Sequence, residues 1–158
     1  QSLGSKAFSA ENAYIQEWKV PYEPGMLEAV GAANGAGSVS QSLVTVGERV
    51  GLRLTPERSV LQRGGQDLAF VAIEFLDVEG RADPLAESLV EATVEGAATL
   101  AALASSRPDS AESFQQRSRH AFRGKALAVL RTARESGPVT LTVSSPGLAS
   151  AQVTLMVE

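Results

Sequence analysis

The chain has 158 residues, enough for one ordinary domain or two small ones. Its 44% hydrophobic and 20% charged residues are typical of a folded protein, and acids and bases are interspersed to a net charge of −4. No basic footprint indicates nucleic acid or an anionic membrane as a partner, and no apolar run approaches the roughly 20 residues of a membrane span. The absence of cysteine excludes disulfides, thiol nucleophiles and thiolate metal sites.

The first residues, QSLGSKAF, have neither an initiating Met nor the charged-then-apolar pattern of a signal peptide. We therefore expect a processed chain or an excised fragment. Composition leaves the compartment open, since cysteine-free domains work on either side of a membrane.

Residues 17–31, EWKVPYEPGMLEAVG, contain the only tryptophan of the chain. Period two predicts a strand on which Trp18 and Val20 share one face. In residues 23–26 Pro stands second and Gly third, which predicts a type II turn. A second strand is expected over residues 27–30.

Asn34-Gly35 is a strong hairpin signal, so we predict that the chain returns as a strand over residues 38–46. Gly47-Glu48 is a short junction. After it a second series of strands begins, with apolar residues alternating at Val50, Leu52, Leu54; Val71, Ile73, Phe75; Val90, Ala92, Val94; Val139, Leu141, Val143; and Val153, Leu155, Val157. Such spacing without a long helical pattern predicts an all-β, immunoglobulin-like sandwich.

Residues 96–121 are ambiguous, because their alanines favour helix while Ser105-Ser106-Arg107-Pro108 interrupts one. We predict a short strand over 98–103, a long loop to about residue 120, and a strand over 122–131.

The two halves differ in strand number. Residues 48–158 supply enough strands for a complete immunoglobulin-like domain, whereas residues 1–47 supply three or four and are expected to form a partial one. An incomplete sheet exposes a strand edge and an apolar face. We expect the first half to pack on the second domain or to pair with another copy of the chain by strand addition.

Three stretches of the first half form a recognisable set: SLG at 2–4, WKVPYEPG at 18–25 and LEAVG at 27–31. They resemble the C-terminal region of bacterial β-galactosidases of glycoside hydrolase family 2. The resemblance implies a small immunoglobulin-like domain whose leading strands lie upstream of residue 1.

The second half is similar to a further C-terminal immunoglobulin-like domain of the same enzymes, itself similar to repeats of bacterial adhesins such as invasin. The segments that carry this similarity keep their order along the chain: LTPER at 54–58, DLAFV at 67–71, VEG at 94–96, ESF at 112–114, AF at 121–122, GKAL at 124–127 and SSPGL at 144–148. The resemblance implies a parent that cleaves β-glycosides with retention, with two glutamates on a (β/α)₈ barrel.

That barrel needs about 250 residues, and this chain lacks its alternating strand and helix pattern. We therefore expect a non-catalytic accessory region, with no catalytic, cofactor-binding or metal-binding residues, that braces the catalytic barrel of the parent chain or its subunit contacts. Such parents are often exported, which implies a periplasmic or extracellular location.

One loop departs from the family pattern. The family has an acidic residue before the Pro of this loop, and here Arg107 occupies that position, while the positions that keep the pattern are Pro108, Ser110, Glu112, Ser113 and Phe114. If the loop lies at the rim of the active site, the charge there is reversed, and the substrate of the parent need not be a galactoside. The candidates for sugar or interface contact in this loop are Arg107, Ser110, Glu112 and Ser113.

Trp18 and Tyr22 are the other candidates, since aromatic rings stack on sugars. We favour the alternative that Trp18 is buried in a sandwich and that Tyr22 is a partly exposed residue at a strand end. A carbohydrate-binding module would need a row of exposed aromatics, and an adhesin-type spacer would show near-identical tandem repeats. Both functions remain alternatives to the accessory role.

The single histidine, His120, lies among Arg117, Arg119 and Arg123, which disfavour an imidazolium. We expect a loop histidine without a catalytic role, in a cluster of solvated arginines whose alternative is to bind an acidic surface of the parent. Asp77 with Glu79 lacks the ligand series of a calcium loop and predicts a hairpin turn.

Overall fold

The computed structural model describes residues 1–32 and 37–158, and strands dominate it; the one helical turn in these ranges is the 3₁₀ turn Ala10–Asn12. The chain divides into two compact units, Gln1–Thr45 and Val46–Glu158. The prediction of an all-β, immunoglobulin-like sandwich chain is confirmed. The predicted Asn34-Gly35 turn lies outside the described residues.

The first unit has one two-stranded sheet. Strand β1, Met26–Ala32, pairs antiparallel with β2, Ser38–Val44, and the register places Leu27 opposite Leu43. The chain bends into β1 at Gly25, whose φ of +141° suits a residue without Cβ. Both strands were predicted, but no described residue of this unit is buried.

The predicted strand around Trp18 is wrong, because residues 15–23 have no regular secondary structure. Trp18 is 41% exposed and Tyr22 is 78% exposed, so the prediction that Trp18 is buried is also wrong. A strand needs a neighbour for its backbone N–H and C=O groups, and in the described part of this unit only β1 and β2 pair. An alternating sequence pattern does not by itself provide a second strand to pair with.

The second unit contains nine strands among the residues described: β3 Arg49–Pro56, β4 Val60–Leu61, β5 Leu68–Asp77, β6 Leu89–Gly96, β7 Ala98–Ala104, β8 Ser118–His120, β9 Lys125–Thr132, β10 Gly137–Ser144 and β11 Ala151–Val157. They form a four-stranded sheet in the order β3-β5-β9-β7 and a five-stranded sheet in the order β4-β11-β10-β6-β8. Neighbouring strands are antiparallel except β4 and β11, which are parallel.

The core of this unit lies between its two sheets. Ile73 and Phe75 of β5 and Leu130 of β9 are fully buried from one sheet, and Leu141 of β10 and Leu155 of β11 are buried from the other. Burying a side chain of this size contributes about 1.5–3 kcal/mol. The alternation predicted for β5, β10 and β11 is the alternation observed. In β3 the prediction is wrong at Val50, which lies in the bulge between Arg49 and Gly51 and is 49% exposed.

Two boundaries differ from the prediction. Strand β9 begins at Lys125 because Arg123 and Gly124 both have positive φ and turn the chain. A Cβ on Gly124 would lie 1.9 Å from the carbonyl oxygen of Asp83, so the close approach requires glycine. The long loop also ends earlier than predicted, since β8 is a short strand paired with β6.

Candidate functional site

The segment that joins β7 to β8, residues 105–117, has no regular secondary structure and contains four of the six candidate residues. Loops of this length inside a domain are usually functional or disordered. This loop is held at both ends, since Leu103 N donates to the carbonyl of Phe114 at 2.7 Å and Ala92 N donates to the carbonyl of Arg117 at 2.8 Å. We call residues 105–117 the β7–β8 loop.

Arg119 of β8 is buried beneath this loop, with 1% of its surface exposed. Its Nε donates to Ser105 Oγ at 3.0 Å and its Nη1 to the carbonyl oxygen of Glu112 at 2.7 Å. Its guanidinium also lies 4.3 Å from the centre of the Phe114 ring. One buried cation therefore fixes the beginning of the loop, at Ser105, and its second half, at Glu112 and Phe114. The prediction of solvated arginines is wrong for Arg119.

Glu112 organises the polar side of the loop. Its Oε1 lies 2.6 Å from His120 Nδ1, and its Oε2 accepts from Ser110 Oγ at 3.0 Å. The hydrogen bond with His120 is the main reason that the pKa of Glu112 lies below its ordinary value. Ser110 contacts the carboxylate and not the imidazole, so the three residues are not arranged as a nucleophile, base and acid.

The expectation that His120 lies in a loop is wrong, because it is the last residue of strand β8. The sequence places three arginines around it, but the structure gives its ring a carboxylate partner from the loop. Neither this pair nor the burial of Arg119 has a local sequence signal, because the partners lie 7 to 14 positions away.

Arg107 and Ser113 are engaged within the same unit. Arg107 forms ion pairs with Glu87 at 2.9 Å and with Asp109 at 3.1 Å, and the hydrogen bond with Glu87 raises its pKa. Ser113 Oγ accepts from Gln115 N at 3.2 Å. The positive charge of Arg107 is thus matched by two carboxylates of its own domain.

Trp18 and Tyr22 belong to the first unit. Trp18 lines an open groove of about 790 Å³ with Leu3, Lys6, Ile15 and Val20 among its neighbours. The Lys6 ammonium lies 5.0 Å from the ring centre and donates to the carbonyl of Glu17. Tyr22 Oη lies 3.4 Å from Thr45 Oγ1, close to the start of the hairpin.

The Asp77 turn forms as predicted. The Asp77 carboxylate accepts from the backbone N–H groups of Gly47, Glu79 and Arg81 at 2.8 to 3.1 Å. Burial raises the pKa of Asp77, but these hydrogen bonds outweigh it, and the pKa lies below its ordinary value. In the described parts of the chain, no three His, Asp or Glu side chains are placed to hold a metal ion.

Two further carboxyl groups have lowered pKa values. A hydrogen bond from Gln62 N is the main cause for Asp67, and one from Arg53 is the main cause for Glu74. A general acid of a glycosidase needs a raised pKa, so these shifts have the opposite sign.

No helix within residues 1–32 and 37–158 has the length and hydropathy to cross a membrane.

The family model for glycoside hydrolase family 2 C-terminal domain 5 matches residues 52–154, and a model for a domain of unknown function matches residues 1–37. The chain is 35% identical, over its whole length, to 18% of a β-galactosidase from Bacteroides ovatus. Over 92% of its length it is 31% identical to 15% of a β-glucuronidase from Formosa agariphila.

A crystal structure of a glycosyl hydrolase family 2 member from Bacteroides cellulosilyticus has a TM-score of 0.94 and 32% identity, over 100% of this chain and 20% of that one. The fold is thus an immunoglobulin-like β-domain of the kind found in multidomain glycosidases. The chain belongs to glycoside hydrolase family 2, where it corresponds to the C-terminal region. It spans about a fifth of the length of these relatives.

Proposed function

We propose that the chain is a non-catalytic accessory region of a family 2 enzyme that hydrolyses β-glycosidic bonds with retention, with a β-galactoside as the first substrate to test. The observation that carries this proposal is the match over 100% of the chain to 18% of a β-galactosidase. The pKa values of Asp67, Glu74, Asp77 and Glu112 are all lowered, whereas the general acid of a retaining glycosidase needs a raised pKa, so none of these four has the property of that acid.

In this proposal the chain braces the catalytic barrel or the subunit contacts of the parent, and the β7–β8 loop contacts a neighbouring surface at the rim of the substrate cleft. The support is the fixed conformation of that loop. A loop ordered in advance by Arg119 and Glu112 loses little conformational entropy when it binds.

The test compares the full-length parent with the 158-residue chain on nitrophenyl β-galactoside and β-glucuronide. We expect turnover by the parent alone, with retention of anomeric configuration by NMR. Turnover by the purified chain, above that of a mock preparation, would overturn the non-catalytic assignment. Loss of residues 46–158 from the parent should lower its melting temperature if the chain braces it.

Carbohydrate binding is a second candidate function, and the exposure of Trp18 and Tyr22 favours it. The Lys6 ammonium over the Trp18 ring occupies part of the stacking surface. Isothermal titration with galacto-oligosaccharides tests this function. Binding that is lost in Trp18→Ala and kept in Phe114→Ala would establish it, and no binding would exclude it.

A further inference from the structure

The two outer faces of the sandwich differ in chemistry. On the five-stranded sheet, the outward residues along the central strands are mainly hydroxyl, amide and carboxylate side chains: Thr93, Glu95, Thr140, Thr142, Gln152 and Thr154. Gln152 Nε2 donates to Thr142 Oγ1 at 3.0 Å across one strand pair. This composition is typical of a sheet face in contact with water.

On the four-stranded sheet, the outward residues in the middle of three neighbouring strands are apolar. Cross-strand register aligns them in two rows: Phe70, Val129 and Ala102 in one, and Ala72, Leu127 and Ala104 in the other. Their chain neighbours Ala69, Val71 and Ala128 are fully buried in the core, so these six point away from it. We call these six residues the apolar sheet face.

The two outer faces differ in polarity although they belong to the same domain. Apart from a bulge in β7 between Leu100 and Ala102, the strands that form both faces alternate buried and outward residues. The chain therefore has polar residues available for outward positions and uses them on the five-stranded sheet. Strands with apolar residues on both sides are typical of sheets covered on both faces. Phe70 is 39% exposed, and Leu127 and Val129 are partly exposed.

Charged residues at the margin of the apolar sheet face indicate what covers it. Outward positions of the sheet carry the cations Arg53, Lys125 and Arg131. The carboxylate of Glu74 lies between two of them, 2.7 Å from Arg53 and 3.2 Å from Lys125. Glu57, which follows β3 and donates its backbone N–H to the carbonyl of Phe70, is a second anion at this margin. Three cations against two anions leave an excess of one positive charge, although the chain carries −4. Two copies related by a two-fold axis would bring like charges together, which disfavours a second copy as the occupant.

We propose that the apolar sheet face docks on another part of the same full-length polypeptide, at a surface with an apolar centre and an acidic rim. This proposal rests on the proposed function and names the surface through which this region would brace its parent. The relatives are about five times longer than this chain, so a full-length parent of that size has several hundred further residues in which to find this surface. Attachment within one polypeptide also raises the effective concentration, so a patch of six residues suffices.

The absence of cysteine in this chain makes thiol mapping a direct test. Val129→Cys places one thiol at the centre of the apolar sheet face, and Thr142→Cys places a matched thiol on the central strand of the opposite face. Both variants are made in the full-length parent and labelled with a maleimide, and peptide mass spectrometry reads out each position. We expect the thiol of Val129→Cys to react about tenfold or more slowly than that of Thr142→Cys in the native protein, and equally after denaturation.

Equal rates in the native protein would overturn the proposal, as would protection of Thr142→Cys alone. Protection at both positions would remove the distinction between faces and would also overturn it. To identify the occupant, a benzophenone maleimide is attached to Val129→Cys in a mixture of isotope-labelled and unlabelled parent. Crosslinks within one polypeptide support the proposal, and crosslinks between labelled and unlabelled copies overturn it.

Failure of this inference is separable from failure of the proposed function. A parent that turns over a nitrophenyl β-glycoside while Val129→Cys is fully reactive has the proposed activity but not this docking face. A parent without glycosidase activity, in which Val129→Cys is protected and crosslinks internally, has the docking face but a different function.

Discussion

The two units of the chain follow the same period-two pattern, yet within residues 1–32 and 37–158 only the second unit has a core. In Val46–Glu158, Phe75 and Leu130 are fully buried between two sheets, whereas in Gln1–Thr45 the facing pair Leu27 and Leu43 is 50% and 68% exposed. Alternation gives a strand an apolar side, and a second layer is needed to bury it. The difference teaches that strand patterning and core formation are separate properties of a sequence.

The largest expected effect is the loss of a core aromatic. Phe75→Ala should destabilise the second unit by about 3–5 kcal/mol, because it leaves a cavity at a fully buried site. The matched variant in the first unit, Leu43→Ala, should cost about 0.5 kcal/mol or less in the 158-residue chain. Urea denaturation followed by circular dichroism measures both, and equal costs would show that Leu43 is as well packed as Phe75.

One glycine substitution in each unit compares how tightly the two backbones are packed. Gly124→Ala should cost about 3 kcal/mol or more, because φ is +77° and the new Cβ would meet a backbone oxygen. Gly25→Ala in the first unit, at φ +141° with nothing within 4 Å, should cost about 1–2 kcal/mol. Thermal melts of the two variants test the order, and a smaller shift for Gly124→Ala would contradict the packing described at Asp83.

Substitutions near the β7–β8 loop test whether the buried polar contacts of Arg119 stabilise the second unit. Arg119→Ala should cost about 2–3 kcal/mol, because it removes charged hydrogen bonds to Ser105 and to the Glu112 carbonyl. Arg117→Ala, two residues away, is the control and should change stability by about 0.5 kcal/mol at most. Proteolysis within the loop should accelerate for Arg119→Ala alone; unchanged cleavage would mean that Arg119 does not hold the loop.

Self-association tests the uncovered sheet of the first unit. We expect the 158-residue chain to form concentration-dependent dimers by strand addition at β1 or β2, whose apolar side chains Leu27 and Leu43 are exposed. Leu43→Glu should give a monomer in light scattering, and Thr142→Glu should not. A monomeric wild-type chain at all concentrations would contradict this expectation.

The smallest expected effect is a pH dependence centred on Glu112. Its folded pKa is lowered, so its ionised form contributes stability above the unfolded pKa, and that stability is lost as pH falls through the folded pKa. Glu112→Gln should therefore flatten the acid side of the stability curve. Urea midpoints across acidic pH measure this, with Glu91→Gln as the control; parallel curves for wild type and Glu112→Gln would refute it.

Much of the second unit could be predicted from sequence, because alternation at Val71, Ile73 and Phe75 reports directly on a buried face. The contacts of the candidate site were harder to predict from the sequence. The sequence singled out Glu112 and Ser110, but it could not show that Glu112 contacts His120 or that Arg119 is buried, since an arginine is normally exposed and its partners are distant in sequence.

The sequence by itself determined the β class, the positions of the long strands of the second unit, and the family, because these depend on local periodicity and on residue identities in order. Tertiary structure alone decided the exposure of Trp18, the hydrogen bonds of the buried Arg119 to the β7–β8 loop, and the difference in polarity between the two sheet faces. Each of these depends on which strand lies beside which, and that placement follows from the packing of whole layers.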